Sequence, residues 1–384
     1  MSADPLPRPS AEAAAHSRAL TAHIRSEIAR GGGWIDFARY MDLALYAPGL
    51  GYYAAGATKL GAAGDFVTAP ELSPLFAQTL ARGIGPMLAR SRGDLVELGA
   101  GSGQLACALL AALDESGGLP VRYAILEVSP QLRVRQAQCI ARLPGHLAAR
   151  VQWIDRLPDR IDGVVLGNEV LDALPVHLVA WQHDGLRERG VAAGRDCLVF
   201  EDRPLAPGRL RARAESLPVR APYLSEVNLR AEALVGALAQ RLARGALLFI
   251  DYGFGRAEYY HPQRRGGTLM CHYRHRAHDD PFFLPGLQDI TAHVDFTAVA
   301  EAAAAAAGLR LGGYTTQAAY LIDLGITDLL ARERPGSAAY LRAAAAVHKL
   351  LSPAEMGELF KVIVLGREFE SAPGFSRGEL SRLL

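Results

Sequence analysis

The sequence predicts an α/β protein whose parallel sheet of seven strands is covered by helices on both faces. Short apolar runs with the character of buried strands alternate with helical patterns along the chain, and this alternation is typical of parallel strands joined by crossover helices. The 384 residues are half hydrophobic, so the chain can bury a large core. The predicted strands span residues 95–98, 122–127, 151–154, 163–168, 246–253, 309–316 and 360–365.

Two additions to this sheet are predicted. Residues 1–90 supply an N-terminal helical segment, with a helix at 16–30, and a loop rich in glycine, proline and aromatic residues. Loops of this composition often form a lid over a site. The sheet domain occupies residues 91–384, and polar and apolar residues alternate within it at about 177–223, which predicts a small inserted antiparallel β subdomain. A helix is predicted to follow at 224–244.

The first predicted strand, 95–98, leads directly into three glycines at alternate positions, Gly99, Gly101 and Gly103, and a predicted helix follows at 104–113. Glycines permit positive φ angles and let a ligand approach the backbone closely, and the first turn of a helix has free N–H groups. This succession of strand, turn and helix therefore predicts a bound cofactor.

The glycine spacing fits two classes of cofactor. Counted from Gly99, the run is G-x-G-x-G with Glu97 two residues ahead, the pattern of methyltransferases that use S-adenosylmethionine (AdoMet). Counted from Gly101, the residues Gly101, Gly103 and Ala106 fit the looser dinucleotide pattern G-x-G-x-x-A. The motif alone leaves both cofactors open, and a glycine turn without a ligand is the third interpretation.

Glu127 ends the second predicted strand, about the distance along the chain at which an acid reaches the ribose in a βαβ unit. We expect it to bind the ribose hydroxyls. The alternative is a solvated residue that caps the next helix, for which Ser129 is the predicted N-cap and Pro130 the first residue. Because ligands bind at the carboxyl edge of open α/β sheets, Gly101 and Glu127 should lie at the same edge.

Composition argues against several functional classes. A net charge of +1 gives no electrostatic footprint for nucleic acid, and no apolar run reaches the ~18 residues of a membrane helix. The four cysteines are scattered, without C-x-x-C spacing, which indicates a reduced, cytoplasmic protein. His272, His275 and His278, near Cys271, lack a matching set of acids, so we expect solvated loop residues and no metal site.

Six blocks of sequence occur in a fixed order along the chain. They are Gly64-Asp-Phe-Val-Thr68 with Ser73-Pro74, Glu97-Leu-Gly-Ala-Gly-Ser-Gly103, Gly167-Asn-Glu-Val-Leu-Asp-Ala-Leu-Pro175, Phe249-Ile-Asp-Tyr-Gly253, Asp289-Ile-Thr-Ala-His-Val-Asp-Phe296 and Met356-Gly-Glu-Leu-Phe-Lys361. Together they resemble the MidA family, a group of AdoMet-dependent methyltransferases. The resemblance covers residues from about 47 to 367.

The resemblance implies a class I methyltransferase (Rossmann-like) fold, AdoMet as cofactor and an arginine in a protein partner as methyl acceptor. Mitochondrial members of the family are assembly factors of respiratory complex I and act as protein arginine methyltransferases. By analogy, the acceptor is a complex I subunit, and the protein resides in the cytoplasm of a bacterium or in the mitochondrial matrix of a eukaryote. A homodimer remains open, since the sequence does not fix the oligomeric state.

The resemblance also implies which residues bind the cofactor. The glycine turn would admit AdoMet, Glu127 would hold its ribose, and the lid loop would close over the sulfonium. Asn168 would contact AdoMet or cap a helix. The expected cofactor-binding residues are Gly64, Asp65, Phe66, Thr68, Glu97, Gly99, Ala100, Gly101, Ser102, Gly103, Glu127 and Asn168.

Acidic residues after the fourth predicted strand are the candidates for catalysis. A guanidinium is a poor nucleophile because its charge is delocalised and its pKa lies above about 12. A bidentate Glu169, with Asp172 near it, would fix the guanidinium plane and leave one nitrogen aimed at the methyl group. Alternatively, Glu169 contacts AdoMet or caps a helix, and Asp172 braces the turn before Pro175. His293, in the polar block from Asp289, is a candidate base or substrate contact, and a structural role for it is equally open.

Several rival functions can be distinguished. A nucleic-acid amino-methyltransferase would carry Pro-Pro and an aromatic residue after Asn168, whereas Glu-Val-Leu follows it here. A dinucleotide oxidoreductase fits the second glycine register. A methyltransferase for a small molecule is a further alternative. A non-catalytic assembly chaperone would retain the AdoMet pocket and act by holding a client.

Overall fold

The computed structural model of the protein describes residues 6–55, 68–367 and 372–384. The chain divides into two compact units. The first unit is formed by residues 1–66, 172–231 and 257–294, and the second by residues 67–171, 232–256 and 295–384.

The helices of the described residues are α1 (Ala11–Arg30), α2 (Phe37–Tyr46), α3 (Ala69–Leu72), α4 (Pro74–Ala89), α5 (Gln104–Glu115), α6 (Pro130–Ile140), α7 (Gly145–Ala148), α8 (Arg209–Ser216), α9 (Leu229–Arg241), α10 (Arg256–Tyr259), α11 (Phe296–Ala307), α12 (Gln317–Asp323), α13 (Ile326–Leu330) and α14 (Ala338–Leu351). The strands are β1 (Trp34–Asp36), β2 (Asp94–Leu98), β3 (Arg122–Leu126), β4 (Val151–Ile154), β5 (Ile161–Asn168), β6 (His177–Gln182), β7 (Gly185–Ala193), β8 (Leu198–Pro204), β9 (Tyr223–Val227), β10 (Leu242–Phe254), β11 (Met270–Tyr273), β12 (Arg276–His278), β13 (Asp289–Thr291), β14 (Val294–Asp295), β15 (Arg310–Thr316) and β16 (Phe360–Arg367).

The large sheet has the strand order β15-β16-β10-β5-β2-β3-β4, and all seven predicted strands occur in this path. From β10 to β4 the strands run parallel, but β16 is antiparallel to both β10 and β15, so the sheet is mixed where the sequence predicted a parallel one. The two-residue strand β14 also pairs with β10, so the sheet has eight strands instead of the predicted seven. Two residues are too few to carry a strand pattern in a sequence.

The central strand β5 explains why the sequence indicated a covered sheet. Every residue from Ile161 to Gly167 is buried. Since neighbouring residues of a strand point to opposite faces, both faces of the sheet are covered at β5. Gly167 has no room for a side chain, because a Cβ atom there would lie 2.7 Å from Cδ1 of Phe249 on the neighbouring strand β10.

Strand register brings three strand ends into one row. Leu98, the last residue of β2, pairs with Leu126 of β3 and with Gly167 of β5. The segments that follow these positions therefore leave the sheet at the same carboxyl edge. They contain the glycine turn after β2, Glu127 after β3 and Asn168 at the end of β5. This common edge is where open α/β sheets bind their ligands.

The first unit contains an antiparallel sheet of order β1-β7-β6-β9, in which β8 pairs with β7, and a three-stranded sheet of order β12-β11-β13. The predicted β-rich insertion is therefore present. Residues of β9 pair with β6, so the helix predicted from residue 224 begins at Leu229 instead. Helix α1 begins at Ala11, earlier than the predicted His16, because the Ser10 side chain accepts the N–H of Ala13 at 3.1 Å. In the described part of the chain, no helix combines the length and the apolar character needed to cross a membrane.

Candidate cofactor and active site

The glycine turn joins β2 to α5 through backbone angles that other residues rarely adopt. Gly99, Gly101 and Gly103 have φ angles of 59°, 52° and 83°, in the left-handed region where a Cβ atom is unfavourable. Between them, Ala100 and Ser102 are buried. Among the described residues, no side chain makes a capping hydrogen bond at the N-terminus of α5, so its first N–H groups are available to a ligand.

Glu97 lies within β2, just before the turn, and its side chain is 2% exposed. The hydroxyl of Tyr123 on β3 donates a hydrogen bond to its Oε2 atom at 2.8 Å. Burial raises the pKa of the Glu97 carboxyl to about 7, and the charge of Glu127 acts in the same direction against the Tyr123 hydrogen bond. The turn is therefore flanked by a buried acid that titrates near neutral pH.

Glu127 follows β3 directly and is also buried. Its Oε1 atom accepts the backbone N–H of Ser129, and its Oε2 atom accepts Nε2–H of Gln136, both at 2.9 Å. Burial raises the pKa of Glu127, while these two hydrogen bonds lower it. Ser129 caps α6 as predicted, by accepting the N–H of Leu132. Glu127 thus bonds to the residue that caps α6, but it is buried and not solvated as its alternative interpretation has it, and it lies at the carboxyl edge of the sheet.

The end of β5 carries an amide and an acid in adjacent positions. Nδ2 of Asn168 donates a hydrogen bond to Oε1 of Glu169 at 2.9 Å. Oδ1 of Asn168 is buried and has no hydrogen-bond partner among the described residues. A buried acceptor without a partner is costly, so this atom fits a donor group on a ligand.

The backbone after β5 is held in an unusual conformation. Glu169 has a φ angle of +54°, which is rare for a residue with a side chain, and its N–H donates to the carbonyl of Ile250 at 2.9 Å. Val170 follows, and its Cγ2 atom would lie 3.7 Å from a Cβ atom on Gly99. The segment that begins with Glu169 therefore packs next to the glycine turn.

The remaining predicted catalytic residues belong to the first unit. Asp172 is buried, and its carbonyl accepts the N–H of Ala292 at 3.0 Å. The backbone N–H of His293 donates to Oγ1 of Thr268 at 3.0 Å. Both residues take part in the internal hydrogen bonding of that unit, while Glu169 belongs to the second unit.

The predicted lid loop falls largely outside the described residues. Gly64, Asp65 and Phe66 are not among them. Thr68, the first described residue after that gap, is the N-cap of α3 and makes no capping hydrogen bond with its side chain.

Asp251 ends a predicted strand, where the sequence makes it a candidate contact to the acceptor, and its side chain accepts backbone N–H groups after Glu169. Two residues of this site were not singled out from the sequence: Tyr123 bonds to Glu97, and Gln136 bonds to Glu127. Tyr123 lies on a predicted strand, and Gln136 lies on the helix predicted after Pro130. Nothing local in the sequence distinguishes them, because their partners are distant along the chain.

This arrangement fits the parts of AdoMet. The turn and the N-terminus of α5 present backbone N–H donors of the kind that bind polar groups of a ligand. Glu97 and Glu127 supply buried carboxylate oxygens suited to an ammonium group and to ribose hydroxyls. Asn168 adds an acceptor at the same edge of the sheet.

Comparison with known proteins gives the family. Residues 76–315 match a family described as S-adenosyl-L-methionine-dependent methyltransferases. The protein named protein arginine methyltransferase NDUFAF7, mitochondrial, from Danio rerio is 30% identical, with 90% of this chain and 86% of that protein covered. Its homologue from Drosophila melanogaster is also 30% identical, with 94% of this chain and 87% of that protein covered.

Two solved structures resemble the whole chain. A COG1565 superfamily member from Burkholderia thailandensis, bound to S-adenosyl-homocysteine, is 53% identical with a TM-score of 0.95, covering 99% of this chain and 100% of that one. A native structure from the same organism is 53% identical with a TM-score of 0.92 and the same coverage.

The family match includes the glycine turn and the end of β5, and it decides between the two glycine registers in favour of AdoMet. It also confirms the class I methyltransferase fold expected from the six sequence blocks. The chain belongs to the MidA family of AdoMet-dependent methyltransferases.

Proposed function

We propose that this methyltransferase transfers the methyl group of AdoMet to an arginine side chain in a protein partner. The observation that carries the proposal is the pair of acceptor groups at the end of β5. Oδ1 of Asn168 is buried without a hydrogen-bond partner among the described residues, and the Glu169 carboxylate lies beside it. The relatives named protein arginine methyltransferases, at 30% identity, support the same acceptor.

The chemistry of a guanidinium requires such acceptors. When bound, AdoMet supplies a methyl group on a positively charged sulfur. A guanidinium carries five N–H donors and a delocalised charge, so each of its nitrogens is a weak nucleophile. An acid that accepts two of these N–H groups orients the plane and draws the positive charge toward itself. We assign this role to Glu169.

The constrained backbone at residues 169–171 supports this assignment. Glu169 adopts its unusual φ angle while its N–H bonds to Ile250 and the following N–H groups bond to Asp251. Backbone conformations of this kind cost free energy and persist where the surrounding structure enforces them, often at functional sites. A fixed backbone gives the carboxylate a defined direction, which in-line methyl transfer needs.

We also propose which residues bind AdoMet. The turn from Gly99 to Gly103 would receive AdoMet, Glu127 would bind its ribose hydroxyls, and Glu97 would face its ammonium group. Gly64, Asp65, Phe66 and Thr68 are proposed as lid residues. Asp172 and His293 are proposed as further contacts to the acceptor.

The partner is proposed by analogy alone. The resemblance to the MidA family implies a subunit of respiratory complex I as acceptor, and this is the first protein to test.

The experiment uses purified protein, labelled AdoMet and a lysate from cells that lack the protein, with mass spectrometry of the labelled products. We expect label in a protein, on methylarginine. The Glu169→Gln variant should bind AdoMet normally and transfer label about a hundredfold more slowly, the scale of removing one electrostatic contact to a transition state. Glu115→Gln, an exposed acid on α5, is the matched control and should keep the wild-type rate.

Other outcomes would identify the rival functions. Label in a small molecule or in nucleic acid would contradict arginine as the acceptor. A Gly101→Val variant cannot easily adopt the φ angle of the turn, so it should lose AdoMet. If that variant still recovers a client protein in full yield and supports its assembly, the protein acts as a chaperone instead.

A further inference from the structure

Gln136, on the second turn of α6, connects the two parts of the proposed cofactor site. Its side chain is completely buried, at 0% exposure. A buried amide has an NH₂ group that donates hydrogen bonds and a carbonyl oxygen that accepts them, so its partners fix its orientation. Three partners surround it: Trp153 of β4, Gly101 of the glycine turn and Glu127 after β3.

These partners leave only one orientation for the amide. The indole Nε1–H of Trp153, which can only donate, bonds to Oε1 of Gln136 at 2.9 Å. The Nε2 group therefore faces the other two partners. It donates to the carbonyl of Gly101 at 3.1 Å and to Oε2 of Glu127 at 2.9 Å. One amide group thus ties the ribose candidate to the backbone of the turn.

Gly103 shows how closely the helix and the turn pack. A Cβ atom at Gly103 would lie 3.1 Å from the Cα atom of Gln136, tighter than most contacts of that kind. The backbone of α6 therefore lies against the turn, and the amide spans a fixed distance.

The charges around Glu127 make this hydrogen bond important. Glu97 on β2 is a second buried acid nearby, and its proximity disfavours two negative charges. Arg133 of α6 donates to the backbone carbonyl of Glu127 and pairs with Asp155 after β4. The contacts that favour the Glu127 carboxylate are the hydrogen bonds from Ser129, Gln136 and the backbone of Val128, together with the positive charge of Arg133.

We propose that Gln136 is a positioning residue of the cofactor site, which holds the side chain of Glu127 in register with the turn at Gly101. The inference rests on the proposed contact between Glu127 and the ribose of AdoMet. Trp153 acts indirectly, because its N–H group sets the orientation of the Gln136 amide.

The test measures binding of S-adenosyl-homocysteine by calorimetry between pH 5.5 and 8.5. Gln136→Met keeps the length of the side chain and removes its hydrogen bonds. We expect binding about ten- to fiftyfold weaker at pH 7, since a hydrogen bond to a charged group is lost. The midpoint, the pH at which affinity falls to half on the acid side, should also rise by about one pH unit, because Glu127 is then protonated more easily. Gln138→Met, an exposed position on the same helix, should match the wild type.

A double-mutant cycle with Glu127→Gln separates positioning from general destabilisation. If Gln136 acts through Glu127, adding Gln136→Met to Glu127→Gln should cause little further loss and no pH shift. Additive losses, or a folded Gln136→Met variant with the wild-type affinity and midpoint, would overturn the inference. If Gln136→Met does not fold, Trp153→Phe decides, since it should move the midpoint in the same direction by a smaller amount, and an unmoved midpoint overturns the inference.

Failure of the proposed function would look different. If Glu127→Gln itself binds S-adenosyl-homocysteine like the wild type, the ribose contact is wrong irrespective of Gln136.

Discussion

Oδ2 of Asp251 accepts the backbone N–H of Leu171 at 2.8 Å and also that of Val170 at 3.0 Å. Asp251 is fully buried, and its Oδ1 atom accepts the N–H of Tyr252 at 3.0 Å. One carboxylate thus serves three backbone donors from two segments. It fixes the chain immediately after Glu169, where the proposed acceptor contact lies.

Replacing Asp251 by Asn should destabilise the protein by about 1–3 kcal/mol, because an amide turns one NH₂ group toward backbone donors. Urea denaturation would measure this change in the free energy of unfolding. Asp159→Asn, at an exposed position, should stay within about 0.5 kcal/mol of the wild type. Equal stability of the two variants would show that the carboxylate does not brace this segment.

The Glu169→Gly variant distinguishes the cost of the backbone conformation at residue 169 from the role of its side chain in methyl transfer. A left-handed φ angle costs a residue with a Cβ atom roughly 1–2 kcal/mol, and glycine avoids this cost. We therefore expect Glu169→Gly to be as stable as the wild type or more stable by up to about 1 kcal/mol, and to lose methyl transfer. Thermal unfolding and transfer of labelled methyl groups give the two readouts. Full activity in this variant would remove Glu169 from the mechanism.

Much of the fold could be predicted because its signals are local. A parallel strand buried on both faces appears as a continuous apolar run, as in β5, and a left-handed turn needs glycine, as at Gly101. The acid after a strand, Glu127, is likewise visible in the sequence. These signals predicted which edge of the sheet carries the turn and the acid, without knowledge of the packing.

The contacts between elements could not be predicted in the same way. Sγ atoms of Cys107 and Cys139 lie 2.8 Å apart, although the cysteines looked scattered, because α5 and α6 pack side by side. The bond between Trp153 and Gln136 has the same origin. Strand β14 was missed because two residues carry no period. Residue spacing predicts individual helices and strands. It does not predict the partners of a buried side chain, because those partners come from distant parts of the chain.

Arg256 joins two acids in the second unit, and its removal should be costly. Its Nε atom lies 3.3 Å from Oδ2 of Asp295, and its terminal nitrogens contact Glu301 at 2.6 and 2.7 Å. Burial raises the pKa of Asp295, and the nearby Arg256 lowers it. Arg256→Met leaves Asp295 buried without its cation, so we expect a loss of about 2–4 kcal/mol in urea denaturation.

Glu301 provides the matched control for that variant. It is about half exposed, at 45%, so Glu301→Gln should cost less than about 1 kcal/mol. Similar losses in both variants would mean that the contact with Asp295 contributes little beyond the surface pair.

Glu97→Gln should change how the stability of the ligand-free protein depends on pH. Burial raises the pKa of Glu97 from an ordinary 4.5 to about 7, so the folded protein binds a proton that the unfolded chain releases. The contribution of Glu97 to the free energy of unfolding is therefore fully present below about pH 4.5. It falls by up to about 3 kcal/mol as the pH rises to 7. Glutamine still accepts from Tyr123 and does not titrate, so Glu97→Gln should be more stable than the wild type at pH 8 but not at pH 4.5. Urea denaturation at both pH values tests this, with Glu115→Gln as the exposed control, and parallel curves for the wild type and Glu97→Gln would show that Glu97 is ionised at little cost.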